Sequence, residues 1–550
     1  MAASAAGFDR AAALARLGSE TFDVLVIGGG ITGAGVALDA ASRGLRTALV
    51  ERDDFSSGTS SKSSKLVHGG LRYLQQREYR LVYENLRERQ RLLDNAPHLV
   101  RHLPFLIPLF GKGGVVNKAT AKAYRSALIL YDATGGVRIG KRHQKVSKAQ
   151  ALAHLPTLNA DLLTAAFIYH DAAADDARLT LAVVRTAVLD HGAVAVNHAA
   201  VTSLVIEDGA VRGAVLDTGT VVRARAVVNA AGVWSDEVRT MDEGRDPDSI
   251  RPAKGIHITV PASKLPCDIA AVVPVPGDRR SVFVVPWGDF TYVGTTDTDY
   301  PGDIDDPQVT PEDVAYCLKA LNAWFSRRLE PGDVTSTWAG LRPLVKAEAS
   351  ARTADLSRRH VVAVSDHGLV TITGGKLTTY RKMGQDAVDE VGRRLGRRLP
   401  RSRTAHTALR GAEGYPALTE PGAAEALGIE ESVLEHLADR FGGEARAVVA
   451  IMAADPALAA PLVPGLPYLR AEAVYAARYE MAMTVEDVLS RRTRALLQDR
   501  EGSAAAAPDV ARLLRAELHW SDDEANASAD AFVALATRES ARAGLAPDIV

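Results

Sequence analysis

Short apolar runs separated by turn residues mark the start of the chain and predict buried β-strands. The first run is Phe22–Ile27, which is followed at once by the glycine-rich Gly28–Gly33 and by Ala34–Arg43, an Ala-rich stretch typical of a helix. A second run, Arg46–Val50, ends at the acidic Glu51. Strand, glycine turn, helix and strand in this order predict the first unit of an α/β domain with a parallel sheet.

The glycine turn has the spacing G-x-G-x-x-G, and Glu51 lies 23 residues after Gly28. This combination is typical of dinucleotide binding, because Gly28 permits the tight turn, Gly30 lets the backbone approach a pyrophosphate and Gly33 lets helix and strand pack closely. The helix N-terminus offers N–H groups to the pyrophosphate, and Glu51 would accept hydrogen bonds from the adenosine ribose. A glycine-rich turn without a ligand is the structural alternative.

Three later segments are candidates to return to the same ligand. Ser56–His68 is dense in small polar residues that could donate to a pyrophosphate and a ribityl chain, although a surface loop has the same composition. Ala226–Gly232 is an apolar run that ends in small residues. Val370–Thr373 meets Gly374 and a helical pattern that could stabilise negative charge on a reduced flavin. Distant segments that converge on one large ligand favour FAD over a nicotinamide cofactor.

Composition restricts the class of protein. A chain of 550 residues is too long to fold around a single hydrophobic core, so two or three domains are expected. The formal net charge of −2 gives no indication of nucleic-acid binding. Cys267 and Cys317 stand apart from other metal ligands, so neither a disulfide framework nor a metal site is expected. No apolar run is long enough to predict a membrane span.

Several motifs resemble the signatures of FAD-dependent glycerol-3-phosphate dehydrogenases. In chain order they are TSSKSSKLVHGGLRYL (Thr59–Leu74), KGIHITV (Lys254–Val260), VVPWGDFTYVGTTDTDY (Val284–Tyr300), GLRPL (Gly340–Leu344), LSRRHVV (Leu356–Val362), GGKLTTYRKM (Gly374–Met383) and VEDVLSRRTR (Val485–Arg494). The resemblance implies an α/β fold with an FAD-binding Rossmann-like domain of the glutathione-reductase and D-amino-acid-oxidase type. It also implies an antiparallel-sheet cap domain and an α-helical C-terminal domain.

The expected organisation has three parts. Residues 1–20 are predicted to be a frayed helical extension, and residues 21–400 an oxidoreductase region in which a discontinuous FAD domain is interleaved with the cap. Residues 401–550 are Ala- and Leu-rich with charges at helical period, which predicts a helical domain for packing or dimerisation, with a homodimer left open.

The fingerprint and the resemblance together predict the FAD ligands. These are Gly28, Gly30, Gly33, Glu51, Arg52, Thr59, Ser60, Ser64, Lys65, Leu66, His68, Gly69, Gly70, Ala230, Gly232, Gly374, Gly375, Lys376, Leu377 and Thr378. The implied substrate, glycerol 3-phosphate, is a small dianion that needs cations in a largely dry site. The resemblance makes Arg342, Arg358 and Lys376 its predicted ligands, and Thr378 and Tyr380 could bond substrate or flavin.

Oxidation of this secondary alcohol to dihydroxyacetone phosphate removes a hydroxyl proton while hydride passes to FAD. The reaction therefore calls for a base in near-attack geometry. His257, in the alternating KGIHITV, is one candidate and is predicted to be catalytic with Arg342 and Lys376. His68 is the other candidate, better suited to orienting the cofactor. Since a single histidine is usually structural, the sequence alone does not identify the base.

A basic segment predicts contact with an anionic membrane surface. Nine Lys or Arg residues and one acid lie between Lys112 and Lys148, and Lys118–Tyr131 places basic residues at helical spacing beside Leu128 and Ile129. The apolar Leu103–Phe110 lies just upstream. A basic amphipathic helix can lie in the interface of an anionic bilayer, although a solvated face is the ordinary meaning of a charge run.

The basic segment predicts an enzyme peripheral to the cytoplasmic face of the cell membrane, and the resemblance implies membrane quinone as its electron acceptor. Two alternatives stay open. One is an oxidase that acts on the same substrate and reduces O₂ to peroxide. The other is a dinucleotide-binding protein without turnover.

Overall fold

A computed structural model of the chain describes residues 7–71, 73, 78–111, 118–278, 280–346 and 360–545. Two β-sheets and a helical C-terminal region organise these residues. This architecture confirms the predicted α/β fold with an antiparallel cap and a helical C-terminal domain. The domain boundaries at residues 20 and 400 stay predictions.

The first sheet holds the fingerprint strand and is parallel at its centre. Its strands are β1 (Thr21–Ile27), β2 (Thr47–Val50), β7 (Val194–Val196), β8 (Val201–Glu207), β9 (Ala210–Leu216), β10 (Val221–Asn229), β17 (Val361–Val364) and β18 (Val370–Thr373). Their order is β17-β18-β10-β1-β2-β7, and the β8–β9 hairpin joins β10 through β9. Because β1, β2, β10 and β18 run parallel, their carboxyl ends meet at one edge, which is where open α/β sheets bind ligands.

The second sheet forms the cap. Its strands are β3 (Leu66–Val67), β4 (Val100–Phe110), β5 (Gln144–Val146), β6 (Leu163–Ala174), β11 (Ile250–Pro261), β12 (Ala270–Pro274), β13 (Ser281–Trp287), β14 (Phe290–Gly294), β15 (Thr298–Asp299) and β16 (Ser336–Val345). The order is β15-β11-β14-β13-β12-β4-β6-β3, with β16 on β11 and β5 on β6. All pairs are antiparallel except β12 with β4.

Helices cover the first sheet and make up most of the C-terminal region. In the described part of the chain they are α1 (Arg10–Ser19), α2 (Ile31–Ser42), α3 (Tyr79–Asn95), α4 (Lys118–Ala133), α5 (Lys148–His154), α6 (Asp176–Leu189), α7 (Ser235–Glu243), α8 (Pro311–Trp324), α9 (Tyr380–Arg394), α10 (Ala423–Leu427), α11 (Glu431–Phe441), α12 (Ala445–Ala454), α13 (Arg470–Glu480), α14 (Arg500–Leu518) and α15 (Asp522–Arg542). A π-helix spans Asp487–Arg492. None of these helices is long and apolar enough to cross a bilayer.

The α2–α9 contact determines where Tyr380 lies. A Cβ on Gly384 would approach the Gly35 carbonyl oxygen to 2.5 Å, so the two helices pack with their backbones close together. Tyr380 is 3% exposed, and its ring lies 2.9 Å from the position that a Gly35 Cβ would take. The side chain packs into this helix junction, and its predicted role as a substrate ligand stays a prediction.

Two segments expected at the periphery are packed against the rest of the protein. Helix α1 is docked rather than frayed, because Leu17 is buried against the first sheet and Arg10 donates to the carbonyl oxygens of Asn197 and His198. The apolar Leu103–Phe110 forms most of β4 inside the cap, so it does not provide a membrane-facing surface.

Candidate active site

A cleft opens at the carboxyl edge of the first sheet. The β1–α2 turn, the ends of β2 and β10, a polar loop and the turn after β18 form its walls. The predicted cofactor ligands among its lining residues are Gly28, Gly30, Glu51, Arg52, Thr59, Ser60, Ala230, Gly232, Gly374, Gly375, Lys376 and Leu377. Residues more than 300 positions apart in the chain thus share one cavity.

The fingerprint glycines keep the backbone open to the cleft. Gly28 has a φ of +108°, and a Cβ there would lie 2.7 Å from the Ala230 carbonyl oxygen. At Gly33 a Cβ would overlap the carbonyl oxygen of Gly28, so this glycine allows the helix to pack on the turn and does not line the cleft. Gly30 is the N-cap of α2 and has no side chain, so an anionic ligand can approach the positive end of this helix closely.

Glu51 joins the acidic end of β2 to the glycine turn. One carboxylate oxygen accepts from the Gly29 N–H at 2.6 Å and the other from the Asp53 N–H at 2.9 Å. Burial raises the pKa of Glu51, and the two backbone donors act in the opposite direction. The side chain therefore holds the turn and also lines the cleft, as expected for a ribose ligand.

The loop that follows is fastened to both domains. The Ser60 hydroxyl oxygen accepts from the Ile31 N–H at 2.9 Å, and the Thr59 hydroxyl donates to the Leu341 carbonyl oxygen at 2.5 Å. Arg52 lies at the mouth, where its guanidinium contacts Asp305 at 2.7 Å. Sequence reasoning missed Asp305, because an acid in an exposed cap loop carries no signal of its partner.

The remaining predicted ligands do not line the cleft. Most of them belong to the segment around strand β3, and one, Thr378, contacts that segment. The residues of the segment are Ser64, Lys65, Leu66, His68, Gly69 and Gly70. Lys65 forms a buried ion pair with Asp176 at 3.3 Å, and burial followed by the charge of Arg494 lowers its pKa to about 8. The Thr378 hydroxyl oxygen accepts from the His68 N–H at 3.2 Å.

Gly69 is held by side chains from three elements. Its N–H donates to the Tyr131 hydroxyl at 3.1 Å and to Asp171 at 3.2 Å, and its carbonyl oxygen accepts from Asn85 at 2.9 Å. Arg89, which is fully buried, pairs with the same Asp171 at 2.6 Å. The structure thus gives the Gly69 backbone protein partners, and its predicted role as an FAD ligand stays a prediction.

His257 and Arg342 lie on one face of the cap sheet. Strands β11 and β16 pair His257 with Trp338, Gly255 with Gly340, and Ala253 with Arg342. Because side chains alternate along strands, these three pairs share a face. The Gly255–Gly340 pair lies between the pair that contains His257 and the pair that contains Arg342. Since glycine has no side chain, this position is a gap in the layer of side chains.

The gap beside His257 is occupied by the head of Arg342. A Cβ on Gly255 would lie 2.5 Å from an Arg342 Nη atom and 2.5 Å from the Thr295 hydroxyl oxygen. Arg342 donates to that hydroxyl oxygen at 3.0 Å and contacts Asp297 at 3.1 Å. The guanidinium therefore reaches back along the strand toward His257.

The imidazole of His257 is buried, with 2% of the residue exposed. Its ring stacks on Trp338 at 4.6 Å, and Nε2 shares a hydrogen bond of 2.9 Å with the Ser64 hydroxyl. Nδ1 has no hydrogen-bond partner among the described residues. Burial, and then the charges of Lys65 and Arg342, lower the pKa of His257 well below its ordinary value, so the ring is neutral.

The other predicted substrate ligands have different outcomes. Lys376 lines the cleft, and its ammonium nitrogen lies 3.8 Å from the centre of the Tyr73 ring. Arg358 lies outside the described residues. Sequence reasoning missed Trp338, although it stands two residues before the GLRPL motif.

Comparison with known proteins agrees with this site. Residues 23–381 match a family model described as FAD dependent oxidoreductase, and residues 402–525 match the C-terminal domain of alpha-glycerophosphate oxidase. The chain is 41% identical over 522 residues to glycerol-3-phosphate dehydrogenase 2 of Mycobacterium tuberculosis, and the alignment covers 93% of this chain and 87% of that one. This chain belongs to the FAD-dependent glycerol-3-phosphate dehydrogenase family.

Other relatives extend the comparison. The mitochondrial glycerol-3-phosphate dehydrogenase of Homo sapiens is 38% identical over 529 residues, covering 92% of this chain and 71% of that one. The crystal structure of glycerol-3-phosphate dehydrogenase from Bacillus halodurans complexed with FAD is 33% identical with a TM-score of 0.77 and covers 98% of both chains. L-alpha-glycerophosphate oxidase from Mycoplasma pneumoniae, at 19% identity and a TM-score of 0.55 over 70% of this chain and 97% of that one, shares the fold.

This family member is an oxidoreductase with FAD as its cofactor. The cleft residues fit that cofactor, because the N-terminus of α2, whose N-cap Gly30 has no side chain, suits a pyrophosphate and the Glu51 carboxylate suits a ribose. The turn at Gly374 and Gly375 brings a second helix terminus to the same cavity.

Proposed function

We propose that this enzyme oxidises sn-glycerol 3-phosphate to dihydroxyacetone phosphate and passes the electrons to a membrane quinone. The observation that carries the proposal is the shared face of His257 and Arg342 across the Gly255–Gly340 gap. A neutral imidazole, which can accept a proton, and a cation thus lie on the same side of the cap sheet.

The spacing of these groups suits a three-carbon phosphate. The Arg342 head lies over Gly255, two residues from His257, which is a distance of about 7 Å along a strand. An arginine fork can bind two phosphate oxygens at once, and Lys376 would add a second cation from the flavin domain. The phosphate would then lie beside Arg342, with the C2 hydroxyl toward His257.

Proton removal is assigned to His257. A neutral imidazole can accept the hydroxyl proton, and its Nδ1 is the ring atom that has no protein partner among the described residues. A bound phosphate dianion would partly offset the charge of Arg342, which is one of the causes of the lowered pKa, and would thus strengthen the base. FAD, when bound, supplies the hydride acceptor.

Anaerobic addition of glycerol 3-phosphate to the purified yellow protein tests the reaction. We expect loss of the oxidised-flavin absorbance with glycerol 3-phosphate, and none at the same concentration of glycerol, which lacks the phosphate. Replacing Arg342 by Ala should slow the bleaching while FAD stays bound. A flavin that glycerol 3-phosphate does not bleach would support a dinucleotide-binding protein without turnover.

The proposed quinone acceptor rests on a surface that suits a membrane. Helices α3 and α4 expose large apolar side chains: Tyr79 at 46%, Tyr83 at 48%, Ile129 at 51% and Leu130 at 37%. Arg138 lies over the Tyr83 ring at 4.7 Å, and Lys122 and Arg125 are exposed on α4. Exposed apolar groups mixed with cations are typical of helices that lie in an anionic bilayer interface.

One detail of the sequence-based expectation is corrected. Leu128 is fully buried in the cap core, so it cannot insert into lipid. Ile129 and the neighbouring Leu130 face outward instead. We propose this surface as the contact with the cytoplasmic face of the membrane.

Vesicle flotation tests the membrane contact. We expect binding to anionic vesicles that weakens in high salt, since exposed charges are screened over about 10 Å at 0.1 M. A variant with Ile129 and Leu130 replaced by Ser should bind less, whereas Ile206→Ser, which changes an isoleucine 41% exposed on β8, should bind as the wild type does. Failure to bind any vesicle, together with peroxide formation from glycerol 3-phosphate, would favour an oxidase.

A further inference from the structure

The polar loop of residues 54–65, here called the cofactor loop, is held by arginines of the C-terminal domain. We infer that this domain positions the cofactor loop for FAD binding, through the arginines of the VEDVLSRRTR motif. The inference rests on FAD binding in the cleft and does not depend on which substrate the enzyme oxidises.

The first anchor lies at the start of the cofactor loop. Arg492 donates two hydrogen bonds to the Asp54 carboxylate, at 2.6 and 2.9 Å, and Arg491 donates one at 2.7 Å. Asn197 donates to the same carboxylate at 2.9 Å. Asp54 is fully buried, and two of these partners come from the π-helix of the C-terminal domain. Removing one partner from a buried ion pair is strongly destabilising.

The second anchor lies at the end of the cofactor loop. Arg494, also fully buried, donates to the Ser61 carbonyl oxygen and pairs with Asp176 at 3.0 Å. The second Asp176 oxygen accepts from the backbone and hydroxyl of Ser63 at 2.9 and 2.7 Å. Lys65 completes the cluster. Arg494 and Lys65 thus both pair with the carboxylate that fixes this end of the loop, and Arg494 also contacts the loop backbone directly.

The residues between the anchors are those that line the FAD cleft. Ser57, Gly58, Thr59 and Ser60 all contribute to its wall, and none is a large apolar residue. Ordering such residues costs about 1–2 kcal/mol each in backbone entropy, with little apolar burial to offset it. The buried Phe55 side chain and the hydrogen bonds of Thr59 and Ser60 hold the middle of the loop. The charged anchors hold its two ends, and each of them includes a C-terminal arginine.

Ordinary domain docking is the competing explanation, and the same interface contains a matched control. Arg185 of α6 pairs with Glu444 of the C-terminal domain, and neither residue belongs to the cofactor loop. Removing this pair should loosen the domain contact without releasing the loop. A positioning role and a general stability role therefore predict different results.

The experiment measures FAD release from the purified holoenzyme. Arg492→Lys and Asp54→Asn should raise the FAD dissociation constant, obtained from flavin fluorescence over a dilution series, by at least about tenfold. Excess FAD in the assay should restore their kcat. Glu444→Gln should lower the unfolding temperature and leave the dissociation constant within about twofold of the wild type.

Two results would overturn the inference. One is wild-type FAD affinity in both anchor variants. The other is an equal loss of affinity in Glu444→Gln at a matched drop in unfolding temperature, which would assign the effect to domain docking. Arg491→Lys, at the edge of the cluster beside the partly exposed Glu486, serves as the anchor variant if Arg492→Lys does not fold. The substrate plays no part in FAD release, so failure of the proposed reaction would leave this test intact.

Discussion

Replacing Gly255 by Ala tests the proposed role of the Arg342 guanidinium in binding the substrate phosphate. The new Cβ would lie 2.5 Å from an Arg342 Nη atom, whereas carbon contacts settle at about 3.5–4.0 Å. The guanidinium must therefore move by about 1 Å or more, and it would lose its hydrogen bond to Thr295. The change adds one methyl group and leaves the charge of the site unaltered.

The magnitude follows from the bonds at risk. A hydrogen bond to a charged group contributes about 1.5–3 kcal/mol, which corresponds to a loss of about 10- to 150-fold in kcat/KM. A misplacement of about 1 Å can also cost about 100-fold through poorer alignment. FAD content should not change, because Gly255 does not line the cofactor cleft.

The assay is anaerobic flavin reduction by glycerol 3-phosphate, with flavin content and unfolding temperature measured for each variant. Gly332→Ala is the matched control, because a Cβ there meets nothing within 4 Å. In a double-mutant cycle, the losses from Gly255→Ala and Arg342→Ala should not add, since both remove the same contact. Wild-type kcat/KM in a folded Gly255→Ala enzyme would refute the placement of the phosphate beside this arginine.

Three further variants probe other parts of the molecule. Glu51→Ala should weaken FAD binding about tenfold or more, because it removes the carboxylate that accepts from the glycine turn. Flavin fluorescence over a dilution series measures the FAD affinity, and an affinity equal to that of the wild type would contradict this prediction. His257→Asn should flatten the pH dependence of stability. The pKa of the imidazole is lower in the folded protein than in the unfolded chain, where it is about 6.5. The neutral ring's contribution to folding stability is therefore complete above pH about 6.5, and it is lost as the pH falls toward the pKa of the folded state. The unfolding temperature of the wild type should drop more between pH 7 and 5 than that of the variant. Arg89→Met should destabilise the fold by about 3–5 kcal/mol, because Asp171 would keep a buried charge without its arginine; denaturant unfolding measures this, and a loss under about 1 kcal/mol would show that Asp171 is otherwise neutralised.

The cofactor chemistry could be predicted from the sequence because its signals are local. Strand, G-x-G-x-x-G, helix and acid occupy 30 residues, and each residue's task depends on its neighbours in the chain. The alternating KGIHITV likewise predicted a strand that carries His257, and the structure places it within β11. Short-range spacing also predicted the helix after Gly374, which forms as α9.

Which side of each element is buried was decided only by the tertiary structure. Tyr380 follows the Gly374–Lys376 turn in the chain, yet its ring packs into the α2–α9 junction because Gly35 leaves room for it. Leu128 and Ile129 are adjacent and equally apolar, but the cap core covers the first and leaves the second in solvent. Nothing in the residues themselves distinguishes the two.

Long-range charge pairing was also beyond the sequence. The VEDVLSRRTR motif contributed to the family resemblance, but its contacts with Asp54 and Asp176 lie more than 300 residues away along the chain. A buried charge needs an opposite charge nearby in space, and the sequence alone allows many pairings of arginines with acids that would meet this need. The packing of the helical domain on the first sheet selects one of these pairings, because only arginines brought within reach of the buried carboxylates can neutralise them.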